Sequence, residues 1–382
     1  MTSPRTWPLR RVLAVAVAAA AVLTLAYQPL RSEGKPAAQT AAGQTAHSPH
    51  LAAAGHTTSS QHSAASDDTA PQRADATGKA VDVCLVLGRP EIEQDLRLPA
   101  SVAERLYQGT RSYPGPCADY GPAQRVGTGG SVRIATQSLG KRPISMSFVF
   151  DKGMLTGLPA ELSDGKHCYD VNGDGAITRD AECIHEHEYM LELPQRFRQR
   201  VGGPFKWAML NWDPRGHAPD PIYGVPHFDL HFYLQKEAEA MAIGTGPCGG
   251  MNLVDCDDYA RGREPVPPAY LPAGYVDIDA VVPGMGNHLG DPASPEFNGA
   301  PFTHTFLYGA FDGDITFYEP MINKAWFDEL GAGRAANSCT PIKLPAKWEV
   351  AGWYPTQYCV AYRPNRQDFT VSMTGFVQRS AS

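Results

Sequence analysis

Positive charge is scarce and scattered in this 382-residue chain. Lys and Arg number 33 against 40 Asp and Glu, a formal net charge of −7. Proteins whose main partner is nucleic acid concentrate Lys and Arg in a stripe or patch, so that class is excluded. No CxxC occurs, which removes a zinc ribbon and a thioredoxin-like motif. GxSxG, a P-loop, HExxH and GxGxxG after a strand are missing as well, and HEHE at 185–188 lacks the spacing of a zincin helix. No internal repeat recurs at a fixed period. Residues 28–80 contain no aromatic side chain, and such a segment cannot bury enough apolar area to offset its chain entropy. It reads as a disordered linker, and its four histidines (His47, His50, His56, His62) as part of a solvated tether.

Ahead of that linker, Arg5, Arg10 and Arg11 precede the apolar run VLAVAVAAAAVLTLAY. A positive segment followed by an apolar stretch too short for a comfortable span predicts a signal peptide over residues 1–27, cut after Ala26, with an uncleaved anchor as the alternative. Membrane contact is expected only through this segment if it stays uncleaved, and the chain is expected outside the cytoplasm. Export makes the eight cysteines candidates for disulfides. Local spacing favours Cys168 with Cys183 and Cys248 with Cys256, while the rest stay open among many pairings.

From about Val81 the texture changes to short β-branched or aromatic runs divided by Pro and Gly, among them VDVCLVLG, PISMSFVFD, WAMLNW, HFDLHFYL, FTHTFLYGAF, DITFYEPMI and YCVAYR. Helical periodicity appears only briefly, in PASVAERLYQG, LQKEAEAMAIG and NKAWFDELGAG. The pattern predicts a single mainly β domain over 81–382, an antiparallel sandwich or open barrel with a few short helices. FDGDITF reads as a hairpin turn at Asp312.

Two stretches carry chemistry. DVNGDGAITRDAE places Asp170, Asn172 and Asp174 at the first, third and fifth positions of an EF-hand-type loop, with Gly175 at the turn and the Ala176 carbonyl as a further ligand. The twelfth position is Ala181, so closure of a calcium shell falls to Asp180 or Glu182. Such a calcium site is expected to be structural.

In PHFDLHFYL, residues 226–234, polar and apolar side chains alternate. On a strand His227, Asp229 and His231 share one face, but His227 and His231 lie about 13 Å apart, too far to reach one ion without a bulge. A site therefore needs partners from elsewhere, among His217, His288, His304 and Glu319. Two or three histidines and a carboxylate suit zinc or another divalent transition metal with an open position. In that reading Asp229, His231 and His288 hold the ion, Glu319 ligates it or acts as base, and His227 supports the ligands or carries protons. The alternative is a hydrogen-bonded polar layer inside the core.

LNWDPRGHAPDPIYGVPHFDLHFYL, GMGNHLGD, FTHTFLYGAFDGDITFYEPMI and GWYPTQYCVAY, in this order, resemble a family of exported bacterial proteins marked by PHFDxHFY and EPMI blocks. One member is a Thermus protein controlled by an extracytoplasmic-function sigma factor. The resemblance covers roughly residues 125–380. It implies a β-rich fold and a ring-like homo-oligomer, without assigning a reaction. Asn287-His288-Leu289 departs from the Val-His-Trp expected there, and residues 161–190 look inserted. Function divides into metal-dependent hydrolytic or lyase-like chemistry on a small external substrate, or a non-enzymatic, oligomeric envelope or stress protein.

Overall fold

The computed structural model describes residues 79–88, 91–250 and 253–382. The leader and linker expected over 1–80 lie outside the described residues, apart from Lys79 and Ala80. The chain divides into two compact units, Met1–Ala80 with Pro99–Arg105, and Val81–Leu98 with Leu106–Ser382. Of the first, beyond Lys79 and Ala80, only Pro99–Arg105 is described, the end of one strand and the start of the helix Ala100–Gly109.

The second unit is built on two antiparallel sheets of seven strands. The first, here the site sheet, runs in the order Val276–Val282, Gly286–Gly290, His304–Phe311, Asp314–Asn323, His227–Tyr233, Trp207–Asp213 and His187–Glu192. The other runs Ser338–Pro341, Gln357–Arg363, Asp368–Thr374, Arg142–Asp151, Gly130–Leu139 and Asp119–Tyr120, with Gln124–Val126 also paired to Gly130–Leu139. Neither sheet closes on itself and one apolar core draws on both, so the architecture is mainly β and antiparallel, as a sandwich or open barrel requires. The expected hairpin turn is present: Phe311 pairs with Asp314, and Asp312 and Gly313 both take positive φ (52° and 78°), as a two-residue type I′ turn requires.

Alternation along the strands decides what meets between the sheets. Phe228, Leu230 and Phe232 point inward, where Phe232 meets Phe148 edge-on at 4.9 Å and Phe228 stacks on Phe150 at 6.2 Å. Phe327, from the helix Lys324–Gly331, plugs one end of this core against Phe150 and Phe228. That helix is capped by Asn323, whose side chain accepts the Ala325 amide.

The other face of the site sheet is covered too, by the long connections between its strands. Two small apolar clusters form there. One joins Trp207, Met209, Tyr233, Ala240, Met285 and Phe317; the other joins Tyr223, Phe302, Leu307 and Met321. Between them this face is polar, and it is as dry as the core.

Four disulfides are formed: Cys84–Cys117, Cys168–Cys183 and Cys248–Cys256, and Cys339–Cys359 between two directly facing strand residues. Both pairs favoured by spacing form. Four bridges fit an oxidising compartment, and among the described residues no helix is long and apolar enough to cross a membrane.

Candidate metal centre

The polar band begins with strand register. His227 faces Asp213 across one ladder, and Asp229 faces Asn211 on that side and Met321 on the other. Because Phe232 pairs with Tyr318 in the same ladder, His231 falls opposite Glu319. Glu319 in turn faces Leu307, and His288 faces Gly309 one strand further on. Period-two alternation thus brings His231, His288 and Glu319 to one side of three strands and a neighbour.

Their donor atoms converge. His231 Nε2 lies 3.7 Å from Glu319 Oε1, and His288 Nε2 lies 3.6 Å from Glu319 Oε2. One ligand atom from each of the three lies within 4.8 Å of the others. All three side chains are buried, His231 and Glu319 to 1% exposure. His288 Nδ1 sits 2.8 Å from the Ala280 carbonyl. A carbonyl only accepts, so Nδ1 carries the proton and the neutral ring offers its Nε2 lone pair toward Glu319, as in metal-ligating histidines. Glu319 Oε2 and His231 Nε2 have no hydrogen-bond partner in the fold.

A second group lies beside the first. His227 Nε2 is 3.4 Å from Asp229 Oδ1 and 3.9 Å from Asp213 Oδ2, and His217 Nε2 is 3.6 Å from Asp229 Oδ2. His217 reaches back from the connection between Asp213 and His227. Gly216 makes that possible: its φ is +73°, and a β-carbon there would meet the Tyr223 carbonyl oxygen at 1.9 Å.

Burial and charge set the protonation of this band. Burial, reinforced by the charge of His288, pushes the His231 imidazole down to about 3. Burial takes His288 down to about 4. Both rings are therefore neutral and ligand-competent at physiological pH. Burial raises the Glu319 carboxyl well above its ordinary value, with the charges of Asp229 and Glu186 adding to it. Asp213 and Glu186 are raised for the same leading reason. Burial would also raise Asp229, but His227 and His217 together outweigh it and hold that carboxyl well below the usual range.

Of the residues singled out in the sequence, His231, His288 and Glu319 come together. Asp229, expected with them on one ion, groups instead with His227 and His217. His304 goes elsewhere: it has the opposite parity and hydrogen-bonds Tyr358 at 2.7 Å. Sequence reasoning missed Asp213, Asn211, Glu186 and Glu188. Asn211 and Asp213 were within reach of it, since WAMLNWD alternates as HFDLHFY does. Glu188 faces Asn211 across its ladder and is approached by His167 at 3.0 Å and Lys166 at 3.6 Å, both from the 161–190 segment. The His167 contact is too poorly directed to count as a hydrogen bond.

In the calcium-like loop, the Asp170 carboxylate accepts the amides of Gly173, Asp174 and Gly175. Asn172 and Asp174 accept the amides two residues on. Glu182 is buried and accepts the amides of Val171, Asn172 and Thr178. Asp180 is exposed, and Ala176 donates its amide to Asp174. The carboxylates thus brace the loop's own backbone.

A cleft of about 390 Å³ is lined by Tyr308, Tyr318, Trp348 and Tyr354 with Lys206 and Arg261. Tyr318 precedes Glu319 in the chain and so faces the opposite side of the sheet. The cleft and the polar band are therefore separate features. Comparison with protein-family models, with curated proteins and with solved structures finds no match to this chain.

Proposed function

We propose that this protein is an exported metalloprotein holding a divalent transition metal, zinc or a similar ion, at His231, His288 and Glu319. The observation that carries this reading is the convergence of three buried donor groups, with Glu319 Oε2 and His231 Nε2 left without a hydrogen-bond partner. Leaving such groups unpaired in a dry interior costs several kcal/mol each. Around an ion with ligands at 2.0–2.2 Å, donor atoms sit about 3 to 3.6 Å apart, close to the 3.6 and 3.7 Å found here. Two histidines and one carboxylate leave coordination positions open, and a bound ion supplies Lewis acidity and a water acidified toward neutrality. Hydrolytic or lyase-like chemistry on a small external substrate is the enzymatic form of this reading. Burial of the three ligands favours a second, non-enzymatic form, in which the ion braces the sheet or organises subunits.

The test is metal content of the purified full chain, compared with His231→Ala, His288→Gln and the control His304→Ala. The parent and control are expected to carry one equivalent of metal more than the first two variants, with circular dichroism unchanged in all. Equal metal in all four overturns the proposal.

A structural calcium ion is proposed for the loop of Asp170, Asn172 and Asp174, with the Ala176 carbonyl and Asp180 or Glu182 completing it. Asp170→Ala should lower the melting temperature without calcium, because three amides lose their acceptor, and by a larger amount with calcium present. Equal shifts count against the ion.

A further inference from the structure

We infer a second divalent-metal site on the same sheet face, formed by His217, His227 and Asp229 with Asp213 beside them. It opens to solvent at His217, so its ion carries an exchangeable ligand, water or a small anion.

Three observations place it. First, the donors converge: one ligand atom each from His217, His227 and Asp229 lies within 4.8 Å of the others. Second, both rings are held in the ligand-competent tautomer. His227 Nδ1 donates to the Val225 carbonyl at 2.7 Å and His217 Nδ1 to the Ala218 carbonyl at 2.8 Å, which turns each Nε2 lone pair toward Asp229. Third, His227 Nε2, Asp229 Oδ1 and Asp213 Oδ2 are buried and find no hydrogen-bond partner. At 3.4 to 3.9 Å these contacts are too long or too poorly directed to be hydrogen bonds, yet close to the edges of a metal coordination shell. A polar layer built for its own stability would close these gaps with direct bonds.

The two groups cannot be one site. Asp229 and His231 are two residues apart on one strand, and His227 and His231 four, about 13 Å between α-carbons. Each ion has its own imidazole pair, and the band is laid out for two.

The groups also differ in access. In the first, His231, His288 and Glu319 are enclosed. In the second, His227 and Asp229 are enclosed, but the His217 side chain is 36% exposed, on a connection at the edge of the covered face. Two nitrogens and one or two carboxylate oxygens suit zinc, cobalt or iron(II), and the solvent side supplies the remaining position.

The experiment uses the full chain loaded with cobalt(II), whose visible bands report coordination. Two equivalents are expected, and azide should shift the bands. His217→Ala, a change on a partly exposed loop side chain, should keep one equivalent and lose the azide response. His288→Gln should keep one equivalent and retain the response. Two equivalents in His217→Ala, or an azide response that survives that change, overturns the second site. If His288→Gln keeps both equivalents while His217→Ala loses one, the second site stands and the ion proposed at His231 falls. A single equivalent in the parent, unaffected by His217→Ala, also overturns the inference.

Discussion

A β-carbon at position 309 would come within 2.1 Å of the Phe317 ring. Glycine there lets Phe317 lie across the strand, where it meets His231 edge-on at 4.7 Å and His288 at 5.2 Å. One ring wedges both imidazoles, and one missing methyl group admits the ring. Gly309→Ala should therefore destabilise the protein by about 1–3 kcal/mol, the usual cost of forcing extra volume into a packed site. It should also weaken metal retention, although residue 309 has no ligand atom. Thermal melting and metal content measure the two effects. An unchanged melting temperature would mean that Phe317 has room to move and does not fix the histidines.

At the scale of the strands, the site sheet has two buried faces of opposite character, one aromatic and one ionisable. The pH dependence of stability comes from the ionisable face. Asp213, Glu186 and Glu319 have folded values raised above their unfolded ones, chiefly by burial. Above the unfolded value each deprotonates more readily in the unfolded chain, so raising the pH removes stability. The His231 and His288 values are depressed to about 3 and about 4, so they oppose folding only below the ordinary histidine value of roughly 6.5. Asp229, held low, adds stability that is lost only under acid. Between pH 6.5 and 8 the raised carboxyls act together with His217, whose burial is outweighed by the Asp229 carboxylate so that its value is raised, and both contributions fall as the pH climbs. The metal-free protein should lose up to about 1.4 kcal/mol per pH unit for each carboxyl still protonated when folded. Metal replaces the proton on Glu319, a proposed ligand, so the loaded protein should show a flatter profile. Denaturant melts with and without chelator at pH 6.5, 7.25 and 8 check this, and parallel profiles would contradict it.

For the whole molecule, how far the sequence speaks depends on the range of the interaction. Alternation in HFDLHFYL and DITFYEPMI is local, and it revealed strands, a mainly β fold and the shared face of His227, Asp229 and His231. The same geometry correctly kept His227 and His231 apart. It could not reveal register between strands, which is set by packing of the whole sheet. Register puts Glu319 opposite His231, and gives Asp229 to His227 rather than to His288. Nor could it reveal that connections would seal the outer face. Sealing converts a polar strand surface, ordinarily wet, into a dry layer of histidines and carboxylates. His304 shows the limit from the other side: it sits one residue from the productive parity and bonds a tyrosine instead. Glu182 shows it again, since a residue near the end of a calcium motif turned out to accept three backbone amides of its own loop.

The central claim is that an ion joins His231, His288 and Glu319. Anomalous diffraction at the zinc absorption edge, from crystals of the full chain grown with zinc, tests it most directly. A peak about 2.0–2.2 Å from His231 Nε2, His288 Nε2 and a Glu319 oxygen is the predicted result. Density with no anomalous peak there, and with the three side chains hydrogen-bonded directly to one another, would contradict the claim.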